Sequence, residues 1–203
     1  GVAEFDLATQ RFKTLLQGNV DAIYFNEKLY IGKREEVFVY NESTGNFDLF
    51  YHLAGKNITL SCLHLDKNKN LWMGTTSNGI YCLSEDKSLS RPVTKGNITS
   101  IYEDSSNELW IGSWEEGLYR VKTDGNIENL RHNPMNTNSL CSNFVRSCCE
   151  DNSGDLWIGT FNGLNRYDRE TGKFHLYTAN GNSPDGLTHS SIWCIVKDGQ
   201  GTI

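Results

Sequence analysis

The 203-residue sequence lacks several features that mark common classes of protein. It has only 3 prolines, and its 19 Lys and Arg against 25 Asp and Glu give a formal net charge of −6. No stretch approaches the ~18 consecutive apolar residues of a membrane-spanning helix. Nucleic-acid binding usually needs a basic patch, which is also missing. The sequence therefore predicts neither a transmembrane helix within these residues nor a nucleic-acid partner.

Motifs of catalysis and metal binding are missing as well. Neither G-x-S-x-G, H-E-x-x-H nor C-x-x-C occurs, so the sequence offers no catalytic residue, no metal site and no cofactor. The turns that begin at Asp66 and Asp151 place oxygen-bearing side chains at positions 1, 3 and 5 of a calcium loop. They lack the glycine at position 6 and the glutamate at position 12 that such a loop uses. We interpret them as hairpin turns capped by aspartate.

What the sequence contains instead is a repeat. Leu156–Tyr177 reads LWIGTFNGLNRYDRETGKFHLY, and related stretches begin at Leu109 (LWIGSWEEGLYRVKTDGNIENL), Leu71 (LWMGTTSNGIYCLSED) and Leu29 (LYIGKREEVFVYNESTGNFDLF). The leading leucines are 42, 38 and 47 residues apart. Self-similarity at such a period is typical of repeat architectures.

Each repeat has the pattern of four short antiparallel strands. Apolar residues alternate or run in short blocks between turn signals, without helical spacing. Four such strands in a repeat of ~40 residues predict one blade of a β-propeller. The glycine of each LWIG strand predicts close packing by the neighbouring blade, and we expect aromatic side chains to occupy that space.

The Leu156 copy resembles the two-component regulator propeller repeat, whose consensus is an inner strand ending in Asp, then LWIGT, GL-x-RYD and a TG-x-F hairpin. The Leu109 copy matches well and the Leu71 copy fairly, whereas the Leu29 copy has Tyr30 for tryptophan and Glu36 where glycine belongs. The resemblance implies the periplasmic sensor region of a membrane-anchored hybrid two-component sensor histidine kinase/response regulator. Sensors of this kind often respond to carbohydrates.

Both ends of the sequence align with the interior of a repeat. We therefore predict an all-β fold, a partial β-propeller of four-stranded antiparallel blades that is a slice of a larger ring. Bare strand edges and apolar end faces favour self-association, and a composite fifth blade made from the two ends is the alternative. The expected units are a partial blade at 1–16, blades at 17–54, 55–94, 95–131 and 139–178, and a partial blade at 189–203.

The six cysteines show no metal-binding or redox spacing, and their pairing stays open. Cys62 and Cys194 occupy the same repeat position, nine residues before the leading position of the LWIG block. Ser100 and Ser147 stand at that position in the other copies. A small residue there indicates crowding on the innermost strand, so we predict buried thiols at both cysteines.

The residues that follow each LWIGT strand differ between repeats, whereas the flanking strands do not. Aromatic rings with acids and amides at a loop tip suit stacking on a sugar ring and hydrogen bonding to its hydroxyl groups. Packing of these rings between blades is the alternative, above all for Trp193. The candidate ligand-binding residues on this loop face are Arg34, Glu35, Asn78, Trp114, Glu115, Phe161, Asn162 and Trp193.

The leading functional hypothesis is a ligand-sensing or signal-relay propeller that responds to an oligosaccharide and has no chemistry of its own. A purely structural dimerisation scaffold is the first alternative, and it predicts no saturable ligand. A polysaccharide-active propeller enzyme is the second, and it predicts glycan turnover that depends on a loop-face carboxylate such as Glu115.

Overall fold

The computed structural model describes residues 1–53, 58–90, 93–179 and 186–203. The predicted boundary between the blades 17–54 and 55–94 falls at a position outside these ranges. Within them the regular elements are 17 β-strands. In chain order the strands are β1 Val2–Asp6, β2 Arg11–Leu16, β3 Ala22–Asn26, β4 Lys28–Lys33, β5 Glu36–Asn41, β6 Asn46–His52, β7 Leu60–Leu65, β8 Leu71–Thr75, β9 Ile80–Leu83, β10 Ile98–Glu103, β11 Leu109–Ser113, β12 Leu118–Val121, β13 Ile127–Leu130, β14 Val145–Glu150, β15 Leu156–Thr160, β16 Gly163–Asp168 and β17 Lys173–Tyr177.

The strands form five separate antiparallel sheets in which each strand pairs with its neighbours in sequence. Three sheets have four strands, β3–β6, β10–β13 and β14–β17, while β7–β9 form three strands and β1–β2 form two. Beside β9, the backbone N of Ser90 donates to the carbonyl oxygen of Cys82, 2.8 Å away. Successive four-stranded meanders are the blades of a propeller, and the described blades do not close into a ring.

The core lies between sheets. Each of three groups of buried side chains combines residues of two successive blades: one joins β3–β6 to β7–β9, the next joins β7–β9 to β10–β13, and the third joins β10–β13 to β14–β17. Each blade therefore buries its apolar faces against its neighbours, as expected of a repeat protein.

The glycine in each LWIG strand receives an aliphatic side chain from the next blade. A Cβ atom on Gly112 would lie 2.9 Å from Val145, and one on Gly159 would lie 2.7 Å from Ile192. Gly32 and Gly74 meet Leu60 and Ile98 in the same way. The prediction of close packing is thus confirmed, but the prediction of aromatic occupants is wrong. A branched aliphatic chain fits the narrow gap between inner strands, and the rings lie elsewhere in the blades.

The Asp-led turns are closed by the tryptophan of the following strand. In the β10–β11 turn, Trp110 Nε1 donates to Asp104 Oδ2 at 2.7 Å, and the backbone N of Glu108 donates to Asp104 Oδ1 at 3.0 Å. The pairs Trp72–Asp66 and Trp157–Asp151 repeat the tryptophan contact at 2.8 Å each. These aspartates cap their turns, as the sequence indicated.

A buried ionic group joins the last two full blades. Arg169, in the β16–β17 turn, donates to Asp104 Oδ2 at 2.9 Å and to Glu150 Oε1 at 3.0 Å. Burial raises the pKa of Asp104, but the hydrogen bonds from Trp110, Glu108 and Arg169 outweigh burial and hold that pKa below its ordinary value. This group therefore fixes the angle between the two blades through charged hydrogen bonds.

The C-terminal segment lies against β14 and β15 at the position of a further inner strand. The backbone N of Ile192 donates to the carbonyl oxygen of Thr160 at 2.9 Å, and that of Ile195 donates to Ser147 Oγ at 3.0 Å. In the described residues this segment forms no ladder with β1 or β2, so the composite fifth blade is not formed.

Candidate ligand-binding site on the loop face

A hydroxyl group holds the turn after three of the four LWIG-type strands, and the β4–β5 turn has Lys33 at that position. In the β11–β12 turn, Ser113 Oγ donates to the carbonyl oxygen of Gly117 at 2.8 Å and accepts a backbone N–H of the same turn. Thr160 does the same in the β15–β16 turn, donating to the carbonyl oxygen of Gly163 at 2.8 Å. The hydroxyl groups thus take up backbone donors and acceptors within the turns, and the side chains of Trp114, Glu115, Phe161 and Asn162 in these turns are exposed.

A second hydrogen bond ties each turn to the segment that enters the inner strand. The backbone N of Trp114 donates to the carbonyl oxygen of Asn97 at 2.9 Å, and that of Phe161 to the carbonyl oxygen of Phe144 at 3.0 Å. These turns and the blade-to-blade connections therefore share one face of the molecule, which we call the loop face.

Aromatic side chains of the last two full blades meet on this face. The Phe144 ring, just before β14, stands edge-on to Trp114 at 5.5 Å between ring centres and lies 6.2 Å from Phe161. Trp114 is 37% exposed, Phe161 49% and Trp193 72%. Trp114 and Phe161 thus expose apolar surface to solvent, while each also contacts the Phe144 ring.

Arg146 joins Trp193 to this group. Its guanidinium carbon lies 3.4 Å from the centre of the Trp193 ring, 5.1 Å from that of Trp114 and 5.7 Å from that of Phe161. Cation–π attraction operates at such distances. We call Trp114, Phe144, Arg146, Phe161 and Trp193 the arginine–aromatic cluster. Trp193 therefore contacts the neighbouring blade through Arg146 and leaves most of its ring exposed.

Arg146 sits at a β-bulge, where it has no partner opposite it on β15, because the register shifts between Val145 and Ser147. The same bulge recurs at Ser61 in β7 and at Thr99 in β10. There the hydroxyl group donates to the inner strand of the next blade at 2.6 Å: Ser61 to the carbonyl oxygen of Ile98, and Thr99 to that of Val145. Arg146 breaks this pattern.

Sequence reasoning missed Arg146 and Phe144, although the repeat carries a signal for the first. The bulge lies ten residues before the leading position of the LWIG block and holds Ser61, Thr99 and Arg146 in successive blades. Trp193 has the corresponding sequence position in the C-terminal segment. Two small hydroxyl residues are followed by a cation and an indole. The position therefore changes character at the two copies that the structure brings into contact.

The other candidate residues have separate places on the loop face. Arg34 and Glu35 lie in the β4–β5 turn, where Arg34 has a left-handed backbone with φ 53°. Asn78 lies in the β8–β9 turn, and its backbone N donates to Thr75 Oγ1. Glu115 and Asn162 are exposed neighbours of the clustered rings. The structure thus brings together Trp114, Phe161 and Trp193, whereas Arg34, Glu35 and Asn78 belong to the turns of other blades.

A cleft of about 700 Å³ lies away from this cluster, between the two-stranded sheet and the first four-stranded blade. Apolar side chains such as Val2, Leu15 and Phe25 line it, together with Glu27 and Lys28. None of the candidate ligand-binding residues lines this cleft.

All six cysteines have free thiols. Burial raises the pKa of Cys62 to about 12 and that of Cys82 to about 11, and it also raises the pKa of Cys148. The prediction of a buried thiol holds in part for Cys62, which is partly buried, and is wrong for Cys194, which is exposed. In residues 186–203 the structure has no strand that covers this thiol, and this explains the exposure. In the part of the chain described, no group of three or more His, Cys, Asp or Glu side chains is arranged to hold a metal ion.

The repeated blades and their variable turns define the chain as a β-propeller segment with its candidate site on the loop face. The family model described as two-component regulator propeller matches residues 52–77, 92–115 and 139–162. Three segments of the chain are therefore similar to the two-component regulator propeller repeat, and the resemblance seen in the Leu156 copy is confirmed. The Leu29 copy, with Tyr30 and Glu36, lies outside these matches. No curated protein is significantly similar to the chain.

Solved structures show the same fold at low sequence identity. The extracellular domain of a protein assigned to a hybrid two-component system of Bacteroides thetaiotaomicron is 22% identical, with a TM-score of 0.58 over 99% of this chain and 33% of that one. A streptogramin B lyase is 19% identical, with a TM-score of 0.63 over 80% and 55% of the two chains. PorZ, a surface component of the type-IX secretion system of Porphyromonas gingivalis, is 12% identical, with a TM-score of 0.65 over 91% and 31%.

The chain spans only about a third to just over half of the length of these structures. At such identities the likeness shows a shared propeller fold. Within the described residues, no helix is long and apolar enough to cross a membrane.

Proposed function

We propose that this chain belongs to the extracytoplasmic sensing propeller of a membrane-anchored hybrid two-component sensor, and that it binds an oligosaccharide on the loop face. The similarity to the two-component regulator propeller repeat supports the sensor role. The extracellular domains among the structural neighbours support a periplasmic location. In this proposal the parent is a histidine kinase, while the propeller itself performs no catalysis.

The observation that carries the ligand proposal is the arginine–aromatic cluster. Exposed rings held at fixed orientation bind the apolar face of a sugar at a small entropic cost. Asn162 and Glu115, exposed beside Phe161 and Trp114, can hydrogen-bond hydroxyl groups at the edge of the sugar. Charged and aromatic groups together on variable turns of a rigid scaffold are typical of recognition sites.

Calorimetric titration of the protein with a panel of neutral, acidic and sulfated oligosaccharides tests this proposal. Saturable heat that falls in Trp114→Ala and Phe161→Ala, and persists in Phe12→Ala, is the expected result. Phe12 is a matched control because it is an exposed ring on β2, outside the cluster. Saturable heat that neither loop-face variant changes would place the ligand on other blades. Absence of heat across the panel at millimolar concentration would overturn the direct sensing of a saccharide.

A structural role is the second candidate, and exposed apolar side chains in the first sheets and in the C-terminal segment favour it. Phe12 and Phe25 of β2 and β3 are exposed, and so are Trp193 and Val196 at the other end. Such faces favour self-association through a second copy of the chain. Sedimentation equilibrium should then show a dimer that Phe12→Glu or Val196→Glu dissociates, whereas a monomer at all concentrations would exclude this role.

The catalytic alternative requires glycan turnover that Glu115→Gln abolishes, as product analysis by mass spectrometry would show.

A further inference from the structure

We infer that Arg146 makes the loop-face site selective for saccharides that carry a carboxylate, an inference that rests on the proposed function. Arg146 stacks on Trp193 at 3.4 Å and lies within 6 Å of the ring centres of Trp114 and Phe161. The cation therefore stands at the point where the rings of two blades and the C-terminal segment meet. A sugar stacked on any of these rings would place its substituents beside the guanidinium.

Two other blades form without an arginine at this position of the repeat. At the same bulge, Ser61 and Thr99 connect neighbouring blades with a single hydroxyl hydrogen bond of 2.6 Å. Arg146 makes no such bond in the described residues, and its buried Nε atom is left without a partner. A buried unpaired N–H group costs stability. A residue that gives up a blade-to-blade bond and adds a buried unpaired group is better explained by binding than by packing.

The surroundings of the guanidinium favour an anion with planar geometry. Trp193 lies against the guanidinium, and the N–H donors of that group point outward in its own plane. Carboxylates bind arginine in that plane through two parallel hydrogen bonds. Nε is buried and has no hydrogen-bond partner in the described residues, so this N–H group has lost water without gaining an acceptor. Arg146 is partly buried, and an anion beside it therefore interacts with it more strongly than with an arginine in water.

The β11–β12 turn beside the cluster carries two carboxylates of its own, and neither is paired with Arg146. Glu116 is already paired with Arg131, whose guanidinium also donates to the carbonyl oxygen of Glu115 at 3.2 Å. The side chain of Glu115 is exposed and belongs to the same turn as Trp114. It is the one neighbouring carboxylate of that turn without an arginine contact in the described residues. Glu115→Gln removes this charge and keeps an amide that can hydrogen-bond a hydroxyl group, so it is expected to strengthen binding of an acidic saccharide.

Binding to a glycan array that holds uronic-acid oligosaccharides, their methyl esters, sulfated oligosaccharides and neutral oligosaccharides tests the inference. Methyl esterification removes the charge of a uronic acid and keeps the sugar. The variants are Arg146→Met, which keeps an unbranched chain over Trp193, and Arg146→Lys, which keeps the charge and loses the planar fork. Arg11→Met, at an exposed arginine of β2, is the matched control. Tryptophan fluorescence and thermal unfolding establish that each variant is folded.

We expect binding to uronic-acid oligosaccharides that falls about tenfold to a hundredfold on methyl esterification and by a similar factor in Arg146→Met. Arg146→Lys should retain part of the affinity, and Arg11→Met all of it. Equal binding of neutral and acidic saccharides, or binding of sulfated saccharides alone, would overturn the inference and leave the proposed sensing of a saccharide intact. Failure of every saccharide to bind would overturn both. If Arg146→Met alone is unfolded, Arg146→Lys with the acid and ester pair decides the question.

Discussion

Arg146 and Trp193 occupy the same position in successive repeats, and the guanidinium of the first lies 3.4 Å from the ring centre of the second. The stack joins the last full blade to the C-terminal segment, which carries no sheet of its own. The candidate site therefore includes a residue of the C-terminal segment.

Removal of the Trp193 ring should separate folding from binding. A cation–π contact at an exposed site contributes about 0.5–1 kcal/mol, so Trp193→Ala should lower the free energy of unfolding by no more than about 1 kcal/mol. Affinity for the saccharide should fall about two- to fivefold, because the ring no longer orients the guanidinium. Urea unfolding and calorimetric titration measure the two effects. A variant that unfolds, or one that binds as tightly as the original protein, would contradict the role given to this ring.

The close approach of neighbouring inner strands predicts a large effect at Gly112. An added Cβ would lie 2.5 Å from Ser100 Oγ and 2.9 Å from Val145, so Gly112→Ala should reduce the free energy of unfolding by about 1–3 kcal/mol. Gly199→Ala is the control, since no atom lies within 4 Å of a Cβ there. Urea unfolding should show a lower midpoint for the first variant only, and equal midpoints would mean that the strands are less tightly packed.

Among the aspartates that cap turns, Asp104 should cause the largest loss in the free energy of unfolding when it is replaced by alanine. It accepts hydrogen bonds from Trp110 and from the guanidinium of Arg169, whereas Asp66 caps an equivalent turn without an arginine. Asp104→Ala leaves these donors buried, at a cost of about 3–5 kcal/mol in the free energy of unfolding. Asp66→Ala should cost less, and Asp124→Ala, in an exposed turn, should change little. Urea unfolding of the three variants gives the order, and a reversed order would exclude the interblade role of Arg169.

The lowered pKa of Asp104 predicts how stability changes in acid. A carboxyl group whose pKa is lower in the folded than in the unfolded state stabilises the fold above its unfolded pKa, and this contribution is lost as the pH falls through the folded pKa. The difference in free energy of unfolding between the protein and Asp104→Asn should therefore be constant above about pH 5 and shrink below about pH 4. Urea unfolding from pH 2 to 7 measures it. A difference that grows in acid would contradict the assigned direction.

The thiols should differ sharply in reactivity. The thiolate is the reactive form, and the pKa values of about 12 for Cys62 and about 11 for Cys82 keep both thiols protonated at pH 8. Cys194 is exposed, so it should be alkylated first by iodoacetamide, and Cys194→Ser should remove the fast phase. Mass spectrometry of the native protein identifies the modified residue. Labelling of Cys62 at the rate of Cys194 would contradict the packing around Gly74.

Much of the fold could be predicted because four copies of the repeat carry the same pattern of strands and turns. The LWIG block, its aspartate-capped turn and its paired strands follow from local patterns that every copy carries. Packing between copies was harder to predict. The aliphatic side chains opposite Gly112 and Gly159 lie about 33 residues further along the chain, and their fit depends on the angle between blades.

The candidate site was predicted in part for the same reason. Trp114 and Phe161 stand out because they interrupt a repeated turn. Arg146 is the second residue of β14 and lies at its bulge. The sequence of this one copy gives no reason to select it as a candidate. Its contacts with three rings depend on the relative placement of two blades and the C-terminal segment. Cys194 was assigned to the interior because the repeat position indicates burial, yet burial also requires a following strand.

The most direct test of the account is a crystal structure of the protein with a bound uronic-acid oligosaccharide. We predict a sugar ring against Trp114 or Phe161, with its carboxylate paired in the plane of the Arg146 guanidinium. A saccharide seated in the cleft between the two-stranded sheet and the first four-stranded blade, with the arginine–aromatic cluster unoccupied, would contradict the account.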